Sequence, residues 1–195
     1  MANVKLSAAE IELVNNAQII LTKNSIITKV YDLFGALSHF YVDEMNKQSA
    51  LPKELLAIAP KISRGENYEG LPWVMLDYPR YFTKTNELAI RTYFWWGNFC
   101  SITLQMSGEF QQEFQSSIHA FRYSSHVEGW FLCCAEDKWQ HHFRPSNYKL
   151  LPEFTHKEIQ QLSFIKLAKK IPLNQWNDIE IFMQNSFLTI LDILK

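Results

Sequence analysis

Glycine is scarce in this sequence, with six among 195 residues. A chain so poor in glycine is weak material for a loop that cradles phosphates with its backbone. Gly65-Glu66-Asn67-Tyr68-Glu69-Gly70 has the glycine spacing of such a loop. Leu71-Pro72 follow it, however, where the lysine and hydroxyl residue that bind phosphate and magnesium would have to stand. Cysteine is scarcer still. Cys100, Cys133 and Cys134 are odd in number and lack the spaced pairs of a disulfide framework, which points to a reducing compartment. Neither sign of charge is in excess: 19 basic against 20 acidic residues leave a net charge of -1, which argues against bulk binding of nucleic acid. Long apolar runs are missing as well. The longest uncharged stretch, Thr92 to Gly108, is 17 residues long and is interrupted by Gly97-Asn98. That pattern suits a hairpin rather than a membrane span. Met1 to Ser7 show no basic segment followed by an apolar one, so the expectation is a soluble, cytoplasmic protein without a leader.

Aromatic residues are abundant: 14 Phe, 8 Tyr and 6 Trp. Each ring removes about 150–250 Å² from water when buried, so a large core built around rings is expected within a single domain spanning 1–195. Ser7 with Glu10 forms a capping box that predicts a helix from Ala8 to about Thr22. Asn24 or Ser25 would cap a longer helix to about Lys47, carrying Ile27, Val30, Phe34, Leu37, Tyr41 and Met45 on one face. With so short a link, these two helices are expected to pair antiparallel. A loop region with a short helix after Pro52 follows.

From Trp73 the pattern becomes that of strands. Trp73–Tyr78 is one, ended by Pro79. Leu88–Trp95 and Phe99–Met106 form the clearest hairpin. Gly108 then opens a helix near 109–122, and Trp130–Ala135 with Trp139–Arg144 read as a second hairpin. Thr155 and Glu158 cap a short helix, Phe164–Ile171 is a strand, and Trp176 to Leu194 mark a C-terminal helix. The fold expected is α+β: an antiparallel sheet of five or six strands, with the N-terminal helix pair and the C-terminal helix packed mainly on one face. A doubly wound sheet is the alternative.

Hairpin register decides which side chains share a surface. A three-residue loop, Trp96-Gly97-Asn98, sets Trp95 opposite Phe99 and gathers Leu88, Ile90, Thr92, Phe94, Cys100, Ile102, Leu104 and Met106 on one face. The other face then carries Ala89, Arg91, Tyr93, Trp95, Phe99, Ser101, Thr103 and Gln105. A two-residue loop would mix the two sets, so the hydrophobic pattern selects the longer one.

The second face supplies the functional candidates. Arg91, Tyr93, Trp95, Ser101 and Thr103 combine a planar donor fork with flat rings and hydroxyls, a set suited to an anionic or polar group on an apolar body. Arg80 would add a second anion contact, and Asp77 a base or an orienting group. The plainer account is a solvated sheet face beside a Pro-containing turn with a local Asp77–Arg80 pair. Cys133-Cys134 with His141-His142 would offer at most two ligands per sheet face, so no metal site and no cofactor is assigned. Asp32, Gly35, His39 and Asp43 share a helix stripe that reads as its polar side. Three functions compete. The first is a non-catalytic module binding a small molecule or peptide through the aromatic/Arg face. The second is an enzyme acting on an anionic small molecule, and the third a homodimer covering the same face. No nucleic acid or membrane partner is expected.

Overall fold

The chain was analysed as a computed structural model, which describes residues 4–48 and 51–195. The expectation for Met1, Ala2 and Asn3 lies outside the described residues. The fold is α+β, with a seven-stranded antiparallel sheet against which a long N-terminal helix and a C-terminal helix pack. Strands β1 (Lys61–Tyr68), β2 (Leu71–Phe82), β3 (Glu87–Trp95) and β4 (Phe99–Ser107) form a meander. Strands β5 (Trp130–Cys133), β6 (Tyr148–Leu150) and β7 (Ile165–Pro172) complete the order β1-β2-β3-β4-β7-β5-β6.

Helix α2 (Ala17–Asn46) lies over β2, and α6 (Ile179–Ile193) over β4. Short α3 (Lys53–Leu56) and α4 (Glu109–Phe121) join them on that side. The main core lies there, around Phe34, Leu37, Ile90, Ile102, Leu104, Phe187 and Ile190. Tyr41 ties three elements together. Its ring stacks on Phe187 with centroids 3.9 Å apart, and its hydroxyl lies 2.9 Å from Thr92 Oγ1 on β3. A stack of this kind adds roughly 0.5–1.5 kcal/mol beyond area burial. Helix α5 (His156–Gln161) carries the expected capping box of Thr155 and Glu158.

The hairpin register is the one the hydrophobic pattern selected. Trp95 pairs with Phe99, Phe94 with Cys100 and Thr92 with Ile102, and Ile90 and Ile102 are both fully buried in the main core.

Other expectations are corrected. The two N-terminal helices do not pair antiparallel. Helix α1 (Ala8–Asn15) starts at its Ser7/Glu10 box but ends at Asn16, which caps α2 through a bond from Gln18 N to its Oδ1. Lys23-Asn24-Ser25 then lie within the first third of one continuous 30-residue helix. Strand β2 runs through Pro79 to Phe82. The missing N–H falls at the irregularity between Asp77 and Arg80, where ladder pairing already lapses. Strand β1 occupies part of the expected loop region. The second hairpin is different too: β5 pairs with β6 and β7, while residues 139–144 form no strand. No helix of the described residues is long and apolar enough to cross a membrane.

Candidate functional site

Residues 134–147 leave β5 and pass over the face of the sheet opposite the helices. This strap determines what the candidate residues can do. Tyr68 on β1 accepts hydrogen bonds at its hydroxyl from the backbone N–H of His141 and His142, at 2.7 and 3.3 Å. Lys166 on β7 donates to the carbonyl of Lys138 at 2.9 Å and to that of Gln140. Asn147 donates to the carbonyls of Gln140 and His142. Lys138 pairs with Glu87 on β3, and Arg144 with Glu69. Rings fill the space below. His141 stacks on Tyr93 with centroids 4.9 Å apart, while Phe143 meets Phe99 edge-on and stacks on Tyr148 at 4.6 Å.

The face expected to meet solvent, a ligand or a second copy is therefore covered by the chain itself. Arg91, Tyr93, Trp95, Phe99, Ser101, Thr103 and Gln105 are all buried. Trp95 donates its indole N–H to the Tyr68 carbonyl. Tyr93 Oη and Gln105 Oε1 are buried without a hydrogen-bond partner among the described residues.

Asp77 does not pair with Arg80, as the local turn account had it. Strand register sets Asp77 opposite Arg91, and Arg91 Nε donates to Asp77 Oδ1 at 2.9 Å. Arg80 instead donates from Nε to the Ala59 carbonyl at 2.9 Å. Nor does Arg91 stack on Tyr93 or Trp95. Its guanidinium carbon lies 5.4 Å from the ring centroid of Phe82 and 5.1 Å from that of Trp139 on the strap. Both rings are exposed, so this is the outer rim of the covered layer. The Arg91 side chain is 11% exposed, and its η nitrogens make no hydrogen bond with the described residues.

Burial governs the titration of the layer. It holds the His141 ring at about 3, with the charges of Lys166 and Arg91 pushing the same way, so the imidazole is neutral at ordinary pH. Burial lowers the Lys166 ammonium to about 8. Burial also pushes the Asp77 carboxyl up, against the opposing charge and hydrogen bond of Arg91. Cys133 Sγ lies 3.3 Å from Asn147 Oδ1 and is pushed up by burial, the setting of a packed thiol rather than a nucleophile. Among the described residues no group of three or more His, Cys, Asp or Glu side chains could hold a metal ion. Asp32, His39 and Asp43 lie on the exposed side of α2.

A groove lies elsewhere, away from these residues. It measures about 540 Å³ between α4 and α6, lined by Ser117, Phe121, His126, Asn185, Thr189 and Asp192 among others. None of the seven candidate residues enters it. We place less weight on its size than on the arrangement at Arg91, because volume alone names no chemistry.

No protein-family model, curated protein or solved structure matches this chain. In the sequence His141 stands out only within the Cys133-Cys134 and His141-His142 set, as a metal ligand or as half of a nucleophilic Cys–His pair, and Lys166, Tyr148, Asn147 and Trp139 carry no functional signal. Lys166 left one readable trace: a lone cation between Ile165 and Leu167 on a strand that is apolar through Ala168.

Proposed function

We propose that this protein is a non-catalytic binding module that holds the anionic group of a small molecule or peptide at Arg91. The observation that carries this reading is the setting of the guanidinium. Its Nε is committed to Asp77, its central carbon lies 5.4 Å from the Phe82 ring centroid and 5.1 Å from that of Trp139, and its η nitrogens have no protein partner among the described residues. A fork held in this way is ready for two parallel hydrogen bonds to a carboxylate. The two exposed rings supply flat contact for an apolar body beside it, and aromatic and arginine residues dominate recognition hot spots. Asp77 acts as the orienting group. Tyr93, Trp95, Ser101 and Thr103 form the floor that fixes β3 and β4, and direct contact with them requires the strap to lift. The enzyme reading has less support. Among the described residues no serine, threonine or cysteine side chain is hydrogen-bonded to a histidine ring, so no activated nucleophile is assembled.

Benzoate titrated into protein labelled with ¹⁵N-tryptophan tests the reading. A saturable shift of the Trp139 indole N–H signal, beside the guanidinium, is expected, absent with benzamide and lost in Arg91→Lys, which keeps the charge but not the fork. No shift with benzoate, or a shift that Arg91→Lys retains, would overturn it.

A further inference from the structure

Helix α1 buries none of its residues, and residues 17–22 of α2 are exposed as well. Ile11, Leu13 and Val14 on α1 and Ile19, Ile20 and Leu21 on α2 are all exposed, Val14 to 71%. Three consecutive apolar residues on a helix span more than half its circumference, so this segment is apolar on several sides rather than along one stripe. A helix of that kind is normally covered. With Val4 and Leu6, eight exposed apolar side chains lie along this arm, and those on the side facing a partner, together with the polar side chains beside them, approach the roughly 800 Å² that each partner contributes to a standard stable interface.

We infer that a second copy of this chain covers the segment, through an antiparallel pairing of the two α1–α2 arms about a two-fold axis near Ile20. A two-fold interface must be self-complementary, presenting both the knobs and the holes on one patch. This segment does so. Beside the exposed apolar residues lies a groove of about 340 Å³ walled by Ile19, Ile26 and Trp96, with Lys23 at its margin. Charge agrees with the antiparallel sense. Helix α1 carries only acid, at Glu10 and Glu12, and the first thirteen residues of α2 carry only base, at Lys23, which pairs with Glu66 of its own chain, and at exposed Lys29. Pairing about Ile20 sets the acidic helix of one copy against Lys29 of the other. The interface is distinct from the rim at Arg91, so the dimer and the carboxylate site stand or fall separately.

Sedimentation velocity over a wide range of concentrations reads the association. The expected result is a reversible monomer–dimer equilibrium. Val14→Glu/Ile20→Glu should weaken it about tenfold or more while leaving thermal unfolding of the monomer unchanged, since neither side chain is buried in the fold. Glu12→Lys should weaken it too, and adding Lys29→Glu in the same chain should restore it. A monomer at every concentration overturns the inference, as does a dimer that survives Val14→Glu/Ile20→Glu. A monomer that instead sediments with phosphatidylcholine–phosphatidylglycerol vesicles would show that a lipid surface covers the segment, and overturns it equally.

Discussion

Arg91 and Asp77 face each other across β3 and β2, joined by a bond of 2.9 Å from Nε to Oδ1, with their side chains 11% and 12% exposed. Sequence alone suggested that Arg91→Ala would cost far less than Phe94→Ala or Ile102→Ala unless Arg91 were buried and paired. It is both. Removing one member of a buried pair strands the other charge, so Arg91→Ala is expected to destabilise by about 3–5 kcal/mol. That is comparable with the roughly 2–5 kcal/mol of the two core truncations. Asp77→Leu/Arg91→Met, which removes both charges, should cost clearly less than Arg91→Ala. Urea unfolding of the four variants checks the order. Equal losses in the single and double Arg91 variants would show that stranding of the charge is not the cause.

The stack of His141 on Tyr93 makes a pH prediction. The ring titrates near 6.5 when free and at about 3 in the fold. Between those values the unfolded chain binds a proton that the folded one refuses. The contribution is therefore fully present above 6.5 and is lost as pH falls toward 3, at up to roughly 1.4 kcal/mol per pH unit. His141→Phe keeps a flat ring against Tyr93 and removes the proton site. Its stability should fall less steeply than that of the parent protein between pH 6.5 and 4. Parallel stability curves for the two proteins would count against a buried neutral imidazole.

How much of this was legible in the sequence depends on how local the cause was. The β3–β4 register could be read because one slip would have put Thr103 or Ser101 beside Phe94. The Ser7/Glu10 and Thr155/Glu158 boxes could be read because three residues suffice to close them. Strand β1 could not. Lys61, Arg64, Gly65 and Glu66 break its alternation, as suits an exposed edge strand that must not recruit another chain. Asn24 and Ser25 looked like a cap, yet the helix hydrogen bonds of their neighbours carry them through α2. Least legible was the strap. Rings and histidines at 139–144 mimic a strand, and nothing local says that they cross the sheet instead of joining it. The polar face was correctly assembled from sequence, but its burial depends on partners such as Tyr68 and Lys166, far away along the chain.

Lys166 holds that strap by its backbone. Lys166→Met leaves the Lys138 carbonyl without its donor and the Gln140 carbonyl with Asn147 alone. A buried carbonyl left unpaired costs about 1–3 kcal/mol, partly offset because a desolvated charge is also removed. Amide hydrogen exchange should quicken across 138–144 and stay slow in β4 and β7. The ammonium titrates at about 8 in the fold against 10.5 when free, so stability should rise with pH between those values in the parent protein. The rise should vanish in Lys166→Met. Unchanged exchange in the strap would mean that its other ties, at Tyr68 and Asn147, suffice.

Gly65 lies opposite Trp73 in the β1–β2 ladder, and the indole covers it so closely that an added Cβ would stand 2.6 Å from two ring atoms. The backbone there is extended, so close approach rather than chain conformation requires the glycine. Gly65→Ala must push the indole away, and Trp73 leads inward to Tyr93, 6.2 Å between centroids. Overpacking of this sort costs about 1–3 kcal/mol. In a Trp73→Ala background the same change meets no ring and should cost almost nothing, or stabilise slightly as alanine replaces a freer residue. A double-mutant cycle in urea therefore measures the contact directly. A Gly65→Ala penalty of the same size in both backgrounds would place its cause in the β1 backbone and not in the indole.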